Sequence, residues 1–328
     1  AERVAQLTTM TPNPSVGLLP NKMQTNFINR IEELVADGHQ KALLISATGT
    51  GKTYAAAFAV QQRRPRRMLF LVHREQIAMQ ALKSFRNVIG KGKTMGLVSG
   101  THHDYDADFV FSTVQTMSRP DNYQLIRPDE FDIIVIDEVH RAGAESYRRI
   151  MEYFTPKFWL GMTASPERTD GFNIYELFDY NIAYEIRLQQ ALEEDLLCPF
   201  HYFGISDFKV EDSVTDAREF SRLVDTARVD HVMKQANYFG YSGNRVKGLI
   251  FCSRKEEAQK LSQLFNEKGW RTLALSGDDK QEIRLDAVRR LCDDTIPEEE
   301  RLDYIITVDI FNEGVDIPDI NQVIMLRP

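Results

Sequence analysis

The stretch Ser46-Ala47-Thr48-Gly49-Thr50-Gly51-Lys52-Thr53 lies between an apolar run at residues 42–46 and an alanine-rich helical stretch at 54–62. A glycine-rich turn that ends in Lys-Thr, with a buried strand before it and a helix after it, is the setting of a phosphate cradle, or P-loop. Gly49 and Gly51 let the backbone fold tightly and aim its N–H groups at an anion. The helix that opens at Lys52 adds the positive end of its dipole. Lys52 would reach the β- and γ-phosphates of ATP as a point charge, and the Thr53 hydroxyl would ligate Mg²⁺. Thr48 and Thr50 complete the loop, and Ser46 stands where the strict pattern has its first glycine. Such a loop requires an α/β fold.

The rest of the chain repeats that grammar. Buried strands are expected at 68–72, 109–111, 133–136 and 158–160, with helices at 21–36 and 75–85. Strands alternating with helices predict a parallel sheet covered on both faces. The pattern weakens after Ile174, and a helix at 189–197 is broken by Cys198-Pro199, which sets the expected domain boundary: residues 1–197 and 198–328. A strand at 201–205, a loop at 207–216 and a helix at 220–238 follow. Strands at 248–252, 272–275, 304–308 and 322–326 then alternate with helices at 255–267 and 281–291. With 328 residues, 43% of them hydrophobic, two buried cores can form.

Asp137-Glu138-Val139-His140 closes the run Ile133-Ile134-Val135-Ile136. In an open α/β sheet the carboxyl end of a buried strand lies at the ligand crevice. There Asp137 would hold the Mg²⁺ shell, and Glu138 would orient or deprotonate the attacking water. His140 would face the other lobe and couple nucleotide state to it.

At these residues the chain resembles a known family, the superfamily 2 DEAD/DEAH-box helicases of DExH type. It is similar to the Res-subunit cores of type III restriction systems and of bacterial multidomain proteins. The resemblance rests on an ordered set of short motifs from Leu19 onward. Gln24 looks like the glutamine that reads adenine. Leu71-Val72-His73-Arg74 with Gln76 and Ser112-Thr113-Val114-Gln115-Thr116-Met117 resemble motifs Ia and Ib, and Gly161-Met162-Thr163-Ala164-Ser165-Pro166 resembles motif III. Leu249-Ile250-Phe251-Cys252-Ser253-Arg254 resembles motif IV, and residues 307–318 resemble motif V. The resemblance implies two RecA-like α/β domains, each a mostly parallel sheet flanked by helices, that close on ATP and Mg²⁺, with Gly314 and Asp316 supplied by the second. It also implies a nucleic-acid partner, DNA in preference to RNA. Contacts would come from His73, Arg74, Thr113, Gln115, Ser253, Arg254, Ser276 and Thr307 through side-chain and backbone donors to phosphate. Motif VI, with its arginine finger, is not reached by Pro328, so further domains of a longer chain and weak ATP hydrolysis by this segment are expected.

Composition bears on the rival readings. The formal charge of −8 rules out a broadly basic surface, so a polynucleotide must be held in a local groove. Cys198, Cys252 and Cys292 are too dispersed for a zinc site, and their scarcity fits a reducing cytoplasm. No run of roughly 18 apolar residues calls for a membrane span. The basic run 63–67 reads as a solvated turn, and Thr101-His102-His103-Asp104 as a polar loop. A small-molecule kinase leaves the second α/β half unexplained. A nucleotide-gated binding module and a duplex translocase that separates no strands remain alternatives.

Overall fold

The computed structural model describes residues 18–166, 173–205, 226–308, 310–311 and 317–326. The chain divides into two compact units, Ala1–His201 and Tyr202–Pro328. In the first, the elements run α1 (Lys22–Ala36), β1 (Lys41–Ser46), α2 (Lys52–Arg63), β2 (Met68–Val72), α3 (Glu75–Ile89), β3 (Met95–Val98) and β4 (Phe109–Thr113). They continue with α4 (Val114–Met117), α5 (Pro120–Tyr123), β5 (Ile133–Ile136), α6 (Glu145–Tyr153), β6 (Phe158–Thr163), α7 (Ile174–Leu177), β7 (Ile182–Ile186) and α8 (Leu188–Glu193). The sheet order is β3-β4-β2-β5-β6-β1-β7, and every pairing is parallel.

Apolar side chains on both faces explain why these strands read as unbroken hydrophobic runs. Leu44, Phe70, Phe111, Val135 and Leu160 pack with Phe27, Ile31, Ala56, Val60 and Phe85 of α1, α2 and α3. Their neighbours Leu43, Leu71, Val110, Ile134 and Ile136 pack on the other face with Met117, Tyr147, Ile150, Ile174 and Phe178. The two faces follow from the two-residue side-chain period of a strand. At Gly161 in β6 the Phe178 ring lies directly on the backbone. A Cβ there would come within 2.5 Å of it, so this position admits only glycine without repacking.

The second unit contains α9 (Thr226–Phe239), β8 (Gly248–Phe251), α10 (Lys255–Glu267), β9 (Thr272–Leu275), α11 (Gln281–Cys292), β10 (Tyr304–Thr307) and β11 (Gln322–Met325). Its parallel sheet has the order β11-β8-β10-β9. Ile250 and Ile306 face one core, Leu249 and Ile305 the other. A buried ion pair, Arg228 to Glu257 at 3.2 Å, ties α9 to α10. The other Glu257 oxygen accepts the Ser253 N–H at 2.9 Å.

Two edge strands were not expected. β3 carries a glycine, and β7 is only half-buried, so neither reads as an apolar run. The strand expected at 201–205 does not form; Tyr202 and Phe203 are exposed there. Apolarity without a partner strand misled the reading. Among the described residues, no helix is long and apolar enough to cross a membrane.

Candidate nucleotide site and nucleic-acid face

β1 stops at Ser46 and α2 starts at Lys52, so the cradle is the loop between them. Gly49 and Gly51 have φ of +87° and +86°, a region that L side chains enter only with strain. The Thr50 hydroxyl donates to the Ala47 carbonyl at 2.7 Å, and the Ser46 hydroxyl then donates to Thr50 Oγ1 at 2.5 Å. Ser46, at the position of the missing glycine, thus braces the loop from below. Lys52 Nζ donates to the Ser46 carbonyl at 3.0 Å, which folds the ammonium back along the loop. Thr48 and Gly49 are exposed, and Thr53 is half-buried in the first turn of α2.

Gln24 is buried, and its Nε2 would lie 3.2 Å from a Cβ at Gly51, which puts its amide against the cradle. The sequence reading missed a second role. Gln24 Oε1 accepts the Asn21 N–H at 2.9 Å, and Asn21 Oδ1 accepts the Gln24 N–H at 2.8 Å, forming a capping box that starts α1. Leu197 was also not foreseen: its Cδ2 would lie 3.0 Å from a Cβ at Gly49.

Asp137 and Glu138 follow β5, which is separated from β1 in the sheet only by β6. Burial, then the neighbouring Glu138 charge, push the Asp137 carboxyl up to about 6, while the Lys52 ammonium pulls it down. A buried carboxylate only partly offset by Lys52, the Glu138 N–H at 3.0 Å and His140 is suited to a cation. Burial also works to raise Glu138. The hydrogen bond from His140 and the charges of Lys52, His140 and His73 outweigh it, so Glu138 sits below the ordinary carboxylate range. Glu138 has φ +50°, a strained value for a non-glycine residue. His140 Nδ1 lies 3.2 Å from Glu138 Oε2 and 3.1 Å from Thr163 Oγ1. Within this unit, then, His140 joins the acidic turn to the end of β6, a partner that no sequence signal had assigned to it.

The Asp137 shift gives a signed prediction. Its folded-state pKa lies above the unfolded one, so its contribution favours the fold at low pH and is lost as pH rises from about 4 to 6. Without nucleotide and divalent cation, Asp137→Asn should therefore match the parent near pH 4 and exceed its stability above pH 6. The gain is up to about 3 kcal/mol. Denaturant unfolding at both pH values measures it, and a constant gap would contradict it.

On the face expected to hold nucleic acid, neighbouring strands β2 and β4 bring together half-buried His73, exposed Arg74 and exposed Gln115. Thr113 has a role within the unit. Its hydroxyl donates to Thr116 Oγ1 at 2.8 Å and accepts the Thr116 N–H at 3.1 Å, so it caps α4. Thr307 is fully buried, and its hydroxyl donates to the Ile310 carbonyl at 3.2 Å. Ser253 and Arg254 are exposed at the end of β8. Ser276 donates its N–H and its hydroxyl to Asp279, at 2.6 and 3.1 Å. Gly314 and Asp316 lie outside the described residues. The basic run is engaged structurally: Arg63 pairs with Glu32 at 3.0 Å, and Arg67 with Glu130 at 3.1 Å.

Comparison with known proteins follows this division. Residues 17–168 match the family model of the type III restriction enzyme res subunit, and residues 228–328 match the helicase conserved C-terminal domain. The chain carries a superfamily 2 helicase core. This helicase core is 26% identical to the type I restriction enzyme EcoAI endonuclease subunit of Escherichia coli, over 75% of the chain and 34% of that protein. Its fold resembles that of the ATP-dependent type ISP restriction-modification enzyme LlaBIII bound to DNA, with TM-score 0.69 and 18% identity, over 95% of this chain and 26% of that one. It also resembles Saccharomyces cerevisiae Dbp5 bound to RNA and ADP BeF3, with TM-score 0.56 and 17% identity, over 93% and 74% of the two chains. These likenesses show RecA-like units. The helicase core spans about a third to a half of the length of the curated relatives it matches.

Proposed function

We propose that this helicase core hydrolyses ATP to move along, or separate the strands of, a nucleic acid, with DNA preferred to RNA. One observation carries the reading: Lys52 of the cradle and the Asp137-Glu138 pair sit at carboxyl ends of strands in one sheet, near enough for the Lys52 charge to act on both carboxyls. The Gly49–Thr53 backbone and Lys52 receive the triphosphate, and the Gln24 amide lies beside them. Thr53 and Asp137 would hold Mg²⁺, which would supply positive charge to offset the charge developing on the phosphates. Glu138 is kept ionised by His140 and orients the attacking water. Through Thr163, His140 ties that carboxylate to the end of β6, so a shift of the segment after β6 reaches the water. Gly314 and Asp316 are proposed as nucleotide contacts of the second unit.

The preference for DNA rests on the restriction-enzyme relatives. Steady-state ATPase with single-stranded DNA, duplex DNA and single-stranded RNA of matched length tests the reading. DNA should stimulate turnover at least about tenfold, the scale of a 1.4 kcal/mol coupling. Equal rates with no polynucleotide and with each one would refute it. Greater stimulation by RNA would overturn the DNA preference alone.

A further inference from the structure

The first unit contains a cleft of about 510 Å³, on whose wall stand His73, Gln115, Arg141, Ser146 and Tyr147. Its size is within the roughly 300–1,000 Å³ of ligand sites. We propose that this cleft holds a backbone phosphate of the bound polynucleotide, with the Arg141 guanidinium and the Tyr147 hydroxyl as its donors. The proposal deepens the nucleic-acid reading above and rests on it.

The cleft lies over the carboxyl ends of three neighbouring parallel strands. His73 follows β2, Gln115 follows β4, and Arg141 ends the short turn after β5. That is the ordinary ligand position of an open α/β sheet. Tyr147 is the deciding residue. It is only 5% exposed, it lines the cleft, and its hydroxyl has no hydrogen-bond partner among the described residues. Buried hydroxyls are rarely left so, because an unmade bond is destabilising. Burial pushes this phenol up to about 12, with the Arg141 charge opposing and those of Asp137 and Glu138 adding. At neutral pH it therefore keeps its proton and can only act toward an anion as a donor.

The surroundings favour an anion as well. Tyr147 is in the first turn of α6, a helix whose Ala144 cap offers no side-chain hydrogen bond to the free N–H groups. The helix dipole points its positive end there. Glu145 is the acid of that turn, and it is held by Arg149 at 2.6 Å. An arginine beside a phenol and a glutamine suits a phosphodiester, because the guanidinium fork matches two phosphate oxygens. None of these groups reads a base edge, as a motor on arbitrary sequence requires.

Occupancy has a route to the chemistry. Arg141 closes the single turn Val139–Arg141, whose first flanking residue is Glu138. The same three-residue segment thus has the proposed phosphate at one end and the water-orienting carboxylate at the other. A phosphate that fixes Arg141 fixes the turn, and the strained Glu138 backbone with it. This would make stimulation of hydrolysis by nucleic acid a local event.

The test uses the full chain with Tyr147→Phe and Arg141→Gln, and a fluorescently labelled 20-nucleotide single strand titrated by anisotropy at several salt concentrations. Tyr147→Phe keeps the ring in the core, so its melting temperature should equal or exceed the parent's. It should bind the strand about tenfold more weakly, the effect of one lost hydrogen bond to a charged group. Arg141→Gln should weaken binding by at least as much. It should also flatten the slope of log affinity against log salt by about 0.7, the value of one phosphate contact on a single strand. Parent-like affinity and slope in both variants would overturn the cleft assignment and leave the nucleic-acid reading standing. A parent chain that binds no polynucleotide would sink both. If Arg141→Gln loses binding of millimolar inorganic phosphate but keeps its oligonucleotide affinity, the cleft is a free-anion site and the proposal is wrong.

Discussion

Lys52→Ala should lower ATP turnover by about 10²–10³-fold, the range seen when one preorganised charge or donor is removed from a transition state. It should also weaken ATP binding, because Lys52 acts on the ground-state triphosphate as well. At 4 Å an ammonium and one phosphate charge attract by about 1 to 4 kcal/mol for effective dielectrics of 80 to 20. The loss of affinity should therefore be roughly tenfold or more. Folding should survive. Among the described residues Lys52 donates one hydrogen bond, to the Ser46 carbonyl, worth about 1 kcal/mol, and its charge also offsets those of Asp137 and Glu138. Lys52→Arg is not a conservative rescue. Its planar fork cannot fold back along the loop as a compact ammonium does. Steady-state ATPase and equilibrium titration with a fluorescent ATP analogue measure both effects. Turnover within a few-fold of the parent would remove the cradle from the mechanism.

How far the sequence reaches can be judged from the same residues. Gly49, Gly51 and Lys52 were legible because backbone sterics and charge at fixed spacing leave few alternatives. Asp137 and Glu138 were legible because a β-branched run must be a buried strand and must end at the crevice. The central strands were legible too, since burial on both faces leaves an unbroken apolar signature. Edge strands β3 and β7 were not, because a glycine interrupts the short β3 run and the half-buried β7 carries a mixed composition. Side-chain hydrogen bonding was the least legible of all. Nothing in one dimension says that the Thr113 hydroxyl caps a helix, or that the Thr307 hydroxyl is given to a carbonyl three residues on. The His140–Thr163 contact and the cleft at Tyr147 depend on chain segments brought together only by sheet order. Tyr147 packs in the core beneath the sheet, a placement the sequence reading did not make. That its hydroxyl has no partner among the described residues is visible only in three dimensions.

Glu138→Gln should separate chemistry from binding more sharply than any change at Lys52. The substitution keeps the shape and an oxygen that can still accept from His140, now 3.2 Å from Glu138 Oε2. What it removes is the negative charge and the ability to take a proton. A general base typically contributes 10²–10⁴-fold, so turnover should fall by that factor while ATP affinity stays within a few-fold of the parent. It should rise slightly if anything, because one carboxylate fewer then faces the triphosphate. The backbone argues that Glu138 is placed for this task. A non-glycine residue at φ +50° is held against a cost of about 1–3 kcal/mol, and glutamine would bear the same strain. Any loss of stability common to glutamate and glutamine therefore cancels in the comparison. Single-turnover hydrolysis beside analogue binding gives the two numbers separately. If Glu138→Gln weakened binding and turnover in parallel, the carboxylate would be a structural partner of His140, and the water would have to be oriented by another group.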